Sequence, residues 1–341
     1  MSRAKKLINQ NFINEYLRAK LLPLYPQFKD ILNIEIIPHK KHIWPGEAYH
    51  LVIEYSVFFI NQQKEQKNIK VFCSAHWEEP RINVYTGLHY LWEHNFNEKY
   101  LKIPRPLFYS KQFRGVFYEG IEGRNLYRFI READKKEIKK IIPKAAKWFA
   151  KLHHQIDSKN ALNFNEENSR IKTVIPGVEH ILFDIKKKYP EYLDFYKKAY
   201  EGFIKREEYF FKKTDKLYLV HGDAHPENII KIDKKSVGVI DFTDLCLSDF
   251  ARDIGTFSQQ LIYMCHRKIK DLDFADKMLK LFLKKYKKYA KIKIDKDLQE
   301  RIDNYYNWTM LRTATFFLIK HNPEPERGMD LIEKLKRILD I

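Results

Sequence analysis

Asp223 and Asn228 stand five residues apart in HGDAHPEN, directly after the apolar run KLYLV (216–220), and Asp241 closes the next apolar run, VGVID (237–241). A loop carrying Asp and Asn beside a strand that ends in Asp gathers three oxygen-bearing groups in one small volume. Hard divalent cations take oxygen ligands of this kind. Phosphoryl transfer asks little covalent chemistry of a protein. It needs a carboxylate aimed at an acceptor hydroxyl and oxygens that hold a metal on the phosphates. Zinc chemistry has no such support, because the 3 cysteines, Cys73, Cys246 and Cys265, are too scattered for a thiolate site or a disulfide framework. So few cysteines suit a reducing compartment.

The elements that must position these groups follow from periodicity. Residues 9–22 carry apolar groups at helical spacing and are closed by Pro23 and Pro26. Segments 31–37, 49–60 and 68–75 are rich in Ile, Val, Phe and Tyr and read as strands, and 104–109 and 115–121 add two more. Between them, 81–94 reads as a helix with Val84, Leu88 and Leu91 on one face. After Gly123 long helical patterns dominate: 134–155 with a start or kink at Pro143, 178–212 interrupted at Pro190, then 274–290, 297–320 and 329–339. Only 216–220 and 237–241 break that pattern, as a short hairpin. The expected fold is α+β, with an N-terminal helical extension (1–30), a small antiparallel β-sheet lobe (31–117), a hinge (118–123) and a larger, mainly helical lobe (124–341).

HGDAHPEN followed by VIDF resembles the aminoglycoside phosphotransferase and choline kinase family, which has the bilobed protein-kinase-like fold. The protein-kinase loop H-R-D-x-x-x-x-N keeps the same Asp-to-Asn spacing. The resemblance covers roughly residues 31–260. It implies a kinase that moves the γ-phosphate of ATP to a hydroxyl of a small substrate with Mg2+. Asp223 would be the catalytic base, Asn228 and Asp241 the magnesium ligands, and His221 and Asp253 supports of the loop. His225 reads as structural. FYEGIEGRNL (117–126) looks like the family's interlobe hinge, with backbone groups of Glu119 and Ile121 facing adenine. WFAKLHHQ (148–155) looks like the helix that packs beneath the loop.

The sequence also departs from the family's pattern. Lys70 in NIKVFCSAH is the candidate for the strand lysine that grips nucleotide phosphates. Its expected partner, a glutamate on the next helix, is missing: 81–92 holds no acid, and Val84 stands where Glu is expected. Glu78 or Glu79 would be the substitute, or Lys70 would be positioned without an ion pair. The stretch PHKKHIWPGE (38–47) takes the place of the phosphate-cradling loop with one glycine, Gly46, and no GxGxxG.

Net charge bears on the acceptor. The chain of 341 residues is 44% hydrophobic and 15% aromatic, an ordinary globular composition, yet carries a net charge of +18. From Thr256 to Ile341 there are 19 basic and 12 acidic residues. A pocket for choline or a polycationic aminoglycoside would be acidic or aromatic, so a sugar, a nucleoside-like or an anionic hydroxyl compound is at least as well favoured. A second reading is a catalytically weak kinase-like module that binds RNA or an anionic partner, its Lys–Tyr runs KKKY (186–189) and KKYKKYAKIK (284–293) tracking phosphates. A protein Ser/Thr kinase is disfavoured by HGD in place of HRD and by the lack of an APE-like segment after Asp241. The most apolar stretch, 51–60, is short and holds Glu54, and no signal peptide is evident, so a cytoplasmic protein without a membrane span is expected.

Overall fold

The computed structural model describes residues 2–45, 48–79, 81–96, 100–158, 165–214 and 216–341. Gly46 therefore lies outside the described residues. The chain divides into two compact units: Met1–Glu122 together with Gly238–Thr243, and Gly123–Val237 together with Asp244–Ile341.

In the first unit, α1 (Arg3–Leu7) and α2 (Gln10–Leu21) precede three long strands, β1 (Phe28–Ile43), β2 (Tyr49–Asn61) and β3 (Gln66–His76). Asn9 caps α2 by accepting from the Phe12 N–H at 3.0 Å. After α3 (Ile82–Leu91) come β4 (Leu101–Lys102), β5 (Arg105–Ser110) and β6 (Gly115–Glu119). An antiparallel sheet runs in the order β1-β2-β3-β6-β5. Leu51, Ile53, Tyr55, Val57 and Phe59 alternate along β2, and together with Ile13, Leu17 and Leu21 of α2 they form one buried cluster. Helices α1 and α2 thus share the sheet's own core through Ala4, Leu7, Ile13, Leu17 and Leu21, and buried Tyr55 donates to the Leu7 carbonyl at 2.8 Å. On α3, Val84, Leu88 and Leu91 are the buried face. The structure differs from expectation at 38–43, which continues β1 in register with β2 from Pro38↔Ile53 to Ile43↔Tyr49, with a bulge at Pro38/Lys40. The segment read as a cradling loop is mostly strand, because Lys40 and Lys41 pair with Val52 and Leu51 there, with His39 the bulged residue.

The second unit holds β7 (Arg124–Asn125), α4 (Leu126–Arg131), α5 (Lys135–His154), α6 (Val178–Lys188), α7 (Leu193–Lys213), β8 (Tyr218–Val220) and β9 (Ile229–Lys231). Strand β10 (Val237–Val239) follows in the chain, with Gly238 and Val239 counted in the first unit. The second unit resumes with β11 (Cys246–Ser248) and four helices, α8 (Ala251–Ile269), α9 (Leu272–Ala290), α10 (Lys296–Ile319) and α11 (Pro325–Leu339). Helix α5 passes through Pro143 without ending, its apolar face packed on α9, while α8 packs on α10. The expected hairpin is corrected: β8 pairs with β11, from Tyr218↔Ser248 to Val220↔Cys246, and β9 pairs with β7. The close approach of Gly222 to Asp244 selects β11 as the neighbour of β8. No helix among the described residues is long and apolar enough to cross a membrane.

Candidate active site

The loop between β8 and β9 is held by backbone clamps. Asp253, buried at 1% exposure in the first turn of α8, accepts the His221 N–H at 2.6 Å and the Gly222 N–H at 2.9 Å. Its neighbour Arg252, also buried, donates to the Gly222 carbonyl at 3.1 Å and to the Asn168 carbonyl. Gly222 sits at φ +83°, and a Cβ there would lie 2.2 Å from the Asp244 carbonyl oxygen, so glycine is required on both counts. Beneath the loop, His153 at the end of α5 places Nε2 3.0 Å from Asp253 and Nδ1 2.7 Å from the Tyr286 hydroxyl. Burial pushes the Asp253 carboxyl up, but His153, His221 and the donated backbone bonds outweigh it and hold it low.

Asp223 ends this clamped turn with its side chain 40% exposed. His225 Nε2 lies 3.2 Å from Asp223 Oδ2, and His225 Nδ1 accepts from the Glu227 N–H, which leaves the Nε2 proton for the carboxylate. Burial raises the Asp223 carboxyl, yet His225, His221 and Arg312 prevail and hold it well below the usual carboxylate range. It is an ionised carboxylate at neutral pH. Asn228 is buried and donates its amide to the Asp223 main-chain carbonyl at 2.9 Å, so its amide oxygen is the end suited to a cation. His221 is fully buried, its Nδ1 accepting from the Asp223 N–H at 3.3 Å. A cavity of about 510 Å³ opens on Asp223, walled by α8 and α10, a size ordinary for small-molecule sites.

The first unit carries the remaining sequence candidates. Lys70 on β3 has its Nζ 3.4 Å from Glu54 Oε1 and 3.9 Å from Glu122 Oε1. Glu54 on β2 is only 8% exposed, and its other oxygen takes His39 Nε2 at 2.9 Å. Because Ser56 faces Lys70 and Glu54 faces Phe72 in the register, Glu54 and Lys70 are diagonal neighbours on one face. The lysine's acid is therefore on the adjacent strand. Neither Glu78 nor Glu79 fills that role: their N–H groups donate to His76 Nδ1, and the Glu79 carboxylate pairs with Arg81 at 2.9 Å.

Glu119 is the last paired residue of β6, in register with Val71 and with Arg105, and Ile121 lies just beyond the strand. The Glu119 carboxylate accepts from Tyr25 at 2.7 Å. Asp241 is exposed at φ +64°, a strained backbone for a residue other than glycine. Thr243 donates its hydroxyl to Asp241 Oδ1 at 2.8 Å. Burial, and then the Asp241 charge, push the Tyr118 phenol up.

The family model described as phosphotransferase enzyme family matches residues 83–268, more than half of the chain. The chain belongs to this family. It is an enzyme of the phosphotransferase type with a protein-kinase-like fold. No curated protein sequence matches it. Among solved structures, Plasmodium vivax ethanolamine kinase is similar at 17% identity and TM-score 0.55, over 96% of this chain and 89% of that one. Choline kinase LicA from Streptococcus pneumoniae is similar at 14% identity and TM-score 0.54, over 96% and 99%. An aminoglycoside phosphotransferase solved with streptomycin and ATP is similar at 17% identity and TM-score 0.50, over 95% of each chain. At these identities the likeness speaks for the fold.

Reading the sequence of this phosphotransferase missed Glu54, Arg252 and Arg312. Two left a signal: Glu54 is the single acid of the apolar run 49–60, and Arg252 stands next to Asp253.

Proposed function

We propose that the protein transfers the γ-phosphoryl group of ATP to a hydroxyl of a small molecule with Mg2+. The observation that carries this is an ionised Asp223 on a clamped turn at the floor of a cavity of about 510 Å³. In this reading Asp223 orients the acceptor hydroxyl and receives its proton as the oxygen bonds the γ-phosphorus. The bond from that phosphorus to the β–γ bridging oxygen breaks, and ADP leaves. Lys70, steadied by Glu54, holds the nucleotide phosphates, and backbone groups of Glu119 and Ile121 take the adenine edge. The Asn228 amide oxygen and the Asp241 carboxylate are the hard oxygen donors that suit magnesium. Magnesium, when bound, neutralises charge on the phosphate oxygens.

The test is ADP formation over a panel of hydroxyl compounds, comparing wild type with Asp223→Asn. The variant keeps the shape of the side chain and removes its charge. Transfer is expected to fall by about 10²–10⁴-fold while nucleotide affinity survives. Equal turnover by both proteins on every acceptor refutes the reading.

A further inference from the structure

The cavity beside Asp223 is lined by four cations, Arg267, Lys268, Arg312 and Arg327, against two carboxylates, Asp223 itself and the exposed Glu227. Arg267 and Lys268 have no ion-pair partner among the described residues, and Arg312 makes no salt bridge among them but feels the charge of Asp223 at longer range. Arg327 is pre-oriented: its Nη1 is paired with the Glu324 carboxylate, which also takes Lys320, its Nη2 donates to the Tyr263 hydroxyl at 2.7 Å, and its guanidinium lies 3.6 Å from the centre of the Phe317 ring. Lys320 lies 5.3 Å from the centre of the Phe316 ring and 5.1 Å from that of Phe317. The protein's own cations thus occupy the aromatic faces that a quaternary ammonium or an aminosugar would need. A cationic acceptor entering here meets like charge, with Asp223 already balanced by His225 and Arg312. An anion instead meets Arg267, Lys268 and Arg312, none of them held in a salt bridge among the described residues, beside the Glu324-paired Arg327 in one concave site. Charge-assisted hydrogen bonds to such donors are the strong ones.

We propose that the acceptor is a hydroxyl compound carrying its own phosphate or carboxylate group, which Arg267, Lys268, Arg312 and Arg327 bind while Asp223 addresses the hydroxyl. This rests on the phosphotransferase reading of Asp223 and adds the acceptor's chemical class.

The experiment titrates four hexose probes by calorimetry with ADP and magnesium saturating: glucose 6-phosphate, glucuronate, glucose and glucosamine. Each is run on wild type, Arg312→Gln and the exposed pair Arg267→Gln/Lys268→Gln. At least one anionic probe is expected to bind roughly tenfold or more tighter than glucose, with glucosamine weakest, and the preference should shrink to roughly threefold or less in the variants. Glucose 6-phosphate alone preferred identifies a phosphate group; both anions preferred identifies any compact anion. Should Arg312→Gln fail to fold, the exposed pair still decides the matter. The proposal is overturned by glucosamine binding as tightly as the anions, by a preference untouched in the variants, or by no binding of either anion at about 10 mM. A different result would mark failure of the phosphotransferase reading alone: an arginine-dependent anion preference with ADP formation no higher than in Asp223→Asn on all four probes.

Discussion

Lys70 shows how a single side chain is defined by its neighbours. On a half-exposed strand it would be an ordinary solvated lysine, but Glu54 at 3.4 Å, itself 8% exposed, fixes where the ammonium rests. A buried carboxylate facing both Lys70 and His39 is costly unless its partners stay in place. Lys70→Ala is expected to weaken ATP binding by roughly tenfold, about 1.4 kcal/mol, and to lower the thermal midpoint, because Glu54 keeps only His39 as a partner. Glu54→Gln should weaken it in the same direction, because the lysine loses its anchor. Calorimetric titration with ATP and magnesium checks both, and an unchanged affinity in Lys70→Ala would remove the residue from the site. The pair also shows what a linear sequence conceals. Asp223, Asn228 and Asp253 could be read because the turn's chemistry is nearly contiguous. Glu54 and Lys70 meet only through the register of β2 on β3, so sequence reasoning sought the acid on α3 and met Val84.

Elements are tied by a few buried polar contacts, and Glu207 on α7 is the most informative. It accepts the Ile171 N–H at 3.0 Å and the hydroxyl of Tyr305 on α10 at 2.9 Å. Burial raises its carboxyl from 4.5 to about 7, more than these partners lower it. Between those values the folded protein keeps a proton that the unfolded chain has released. The group's contribution to stability therefore falls as pH rises from about 4.5 to 7 and stays low above that. Glu207→Gln does not ionise, so its unfolding free energy from urea titration should improve relative to wild type from pH 5 to 8, by about 1–3 kcal/mol. A relative gain at acid pH instead would mean that Glu207 is charged and well paired. The helix positions themselves were legible from period alone, as the buried face of α3 shows. The pairing of β8 with β11 was not, because it depends on Gly222 approaching Asp244 from a distant part of the chain.

For the whole molecule the large positive charge invites a polyanion as partner. Two of the three tyrosines in the Lys–Tyr runs are engaged by the protein: Tyr286 is buried and takes both His153 and His154, and Tyr189 reaches the Leu318 carbonyl, which leaves half-buried Tyr289 as the third. Their lysines sit on solvated helix faces. Binding to a single-stranded homopolymer RNA near 150 mM salt is accordingly expected in the non-specific range, about 10⁻⁴–10⁻⁶ M, weakening steeply as salt rises. A filter-binding series that gave nanomolar affinity with a shallow salt slope would restore the RNA-module reading.

The six residues Gly238–Thr243, which include Asp241, belong with the N-terminal unit although almost the whole helical unit is threaded before and after them. A gene cut once after Glu122 therefore yields no self-sufficient halves. The first fragment would lack a strand segment and its metal-ligand candidate, and the second would carry that segment with nothing of its own unit to join. Recombination can exchange this enzyme's helical segments between relatives on either side of 238–243, but it cannot hand over the N-terminal unit as one contiguous block.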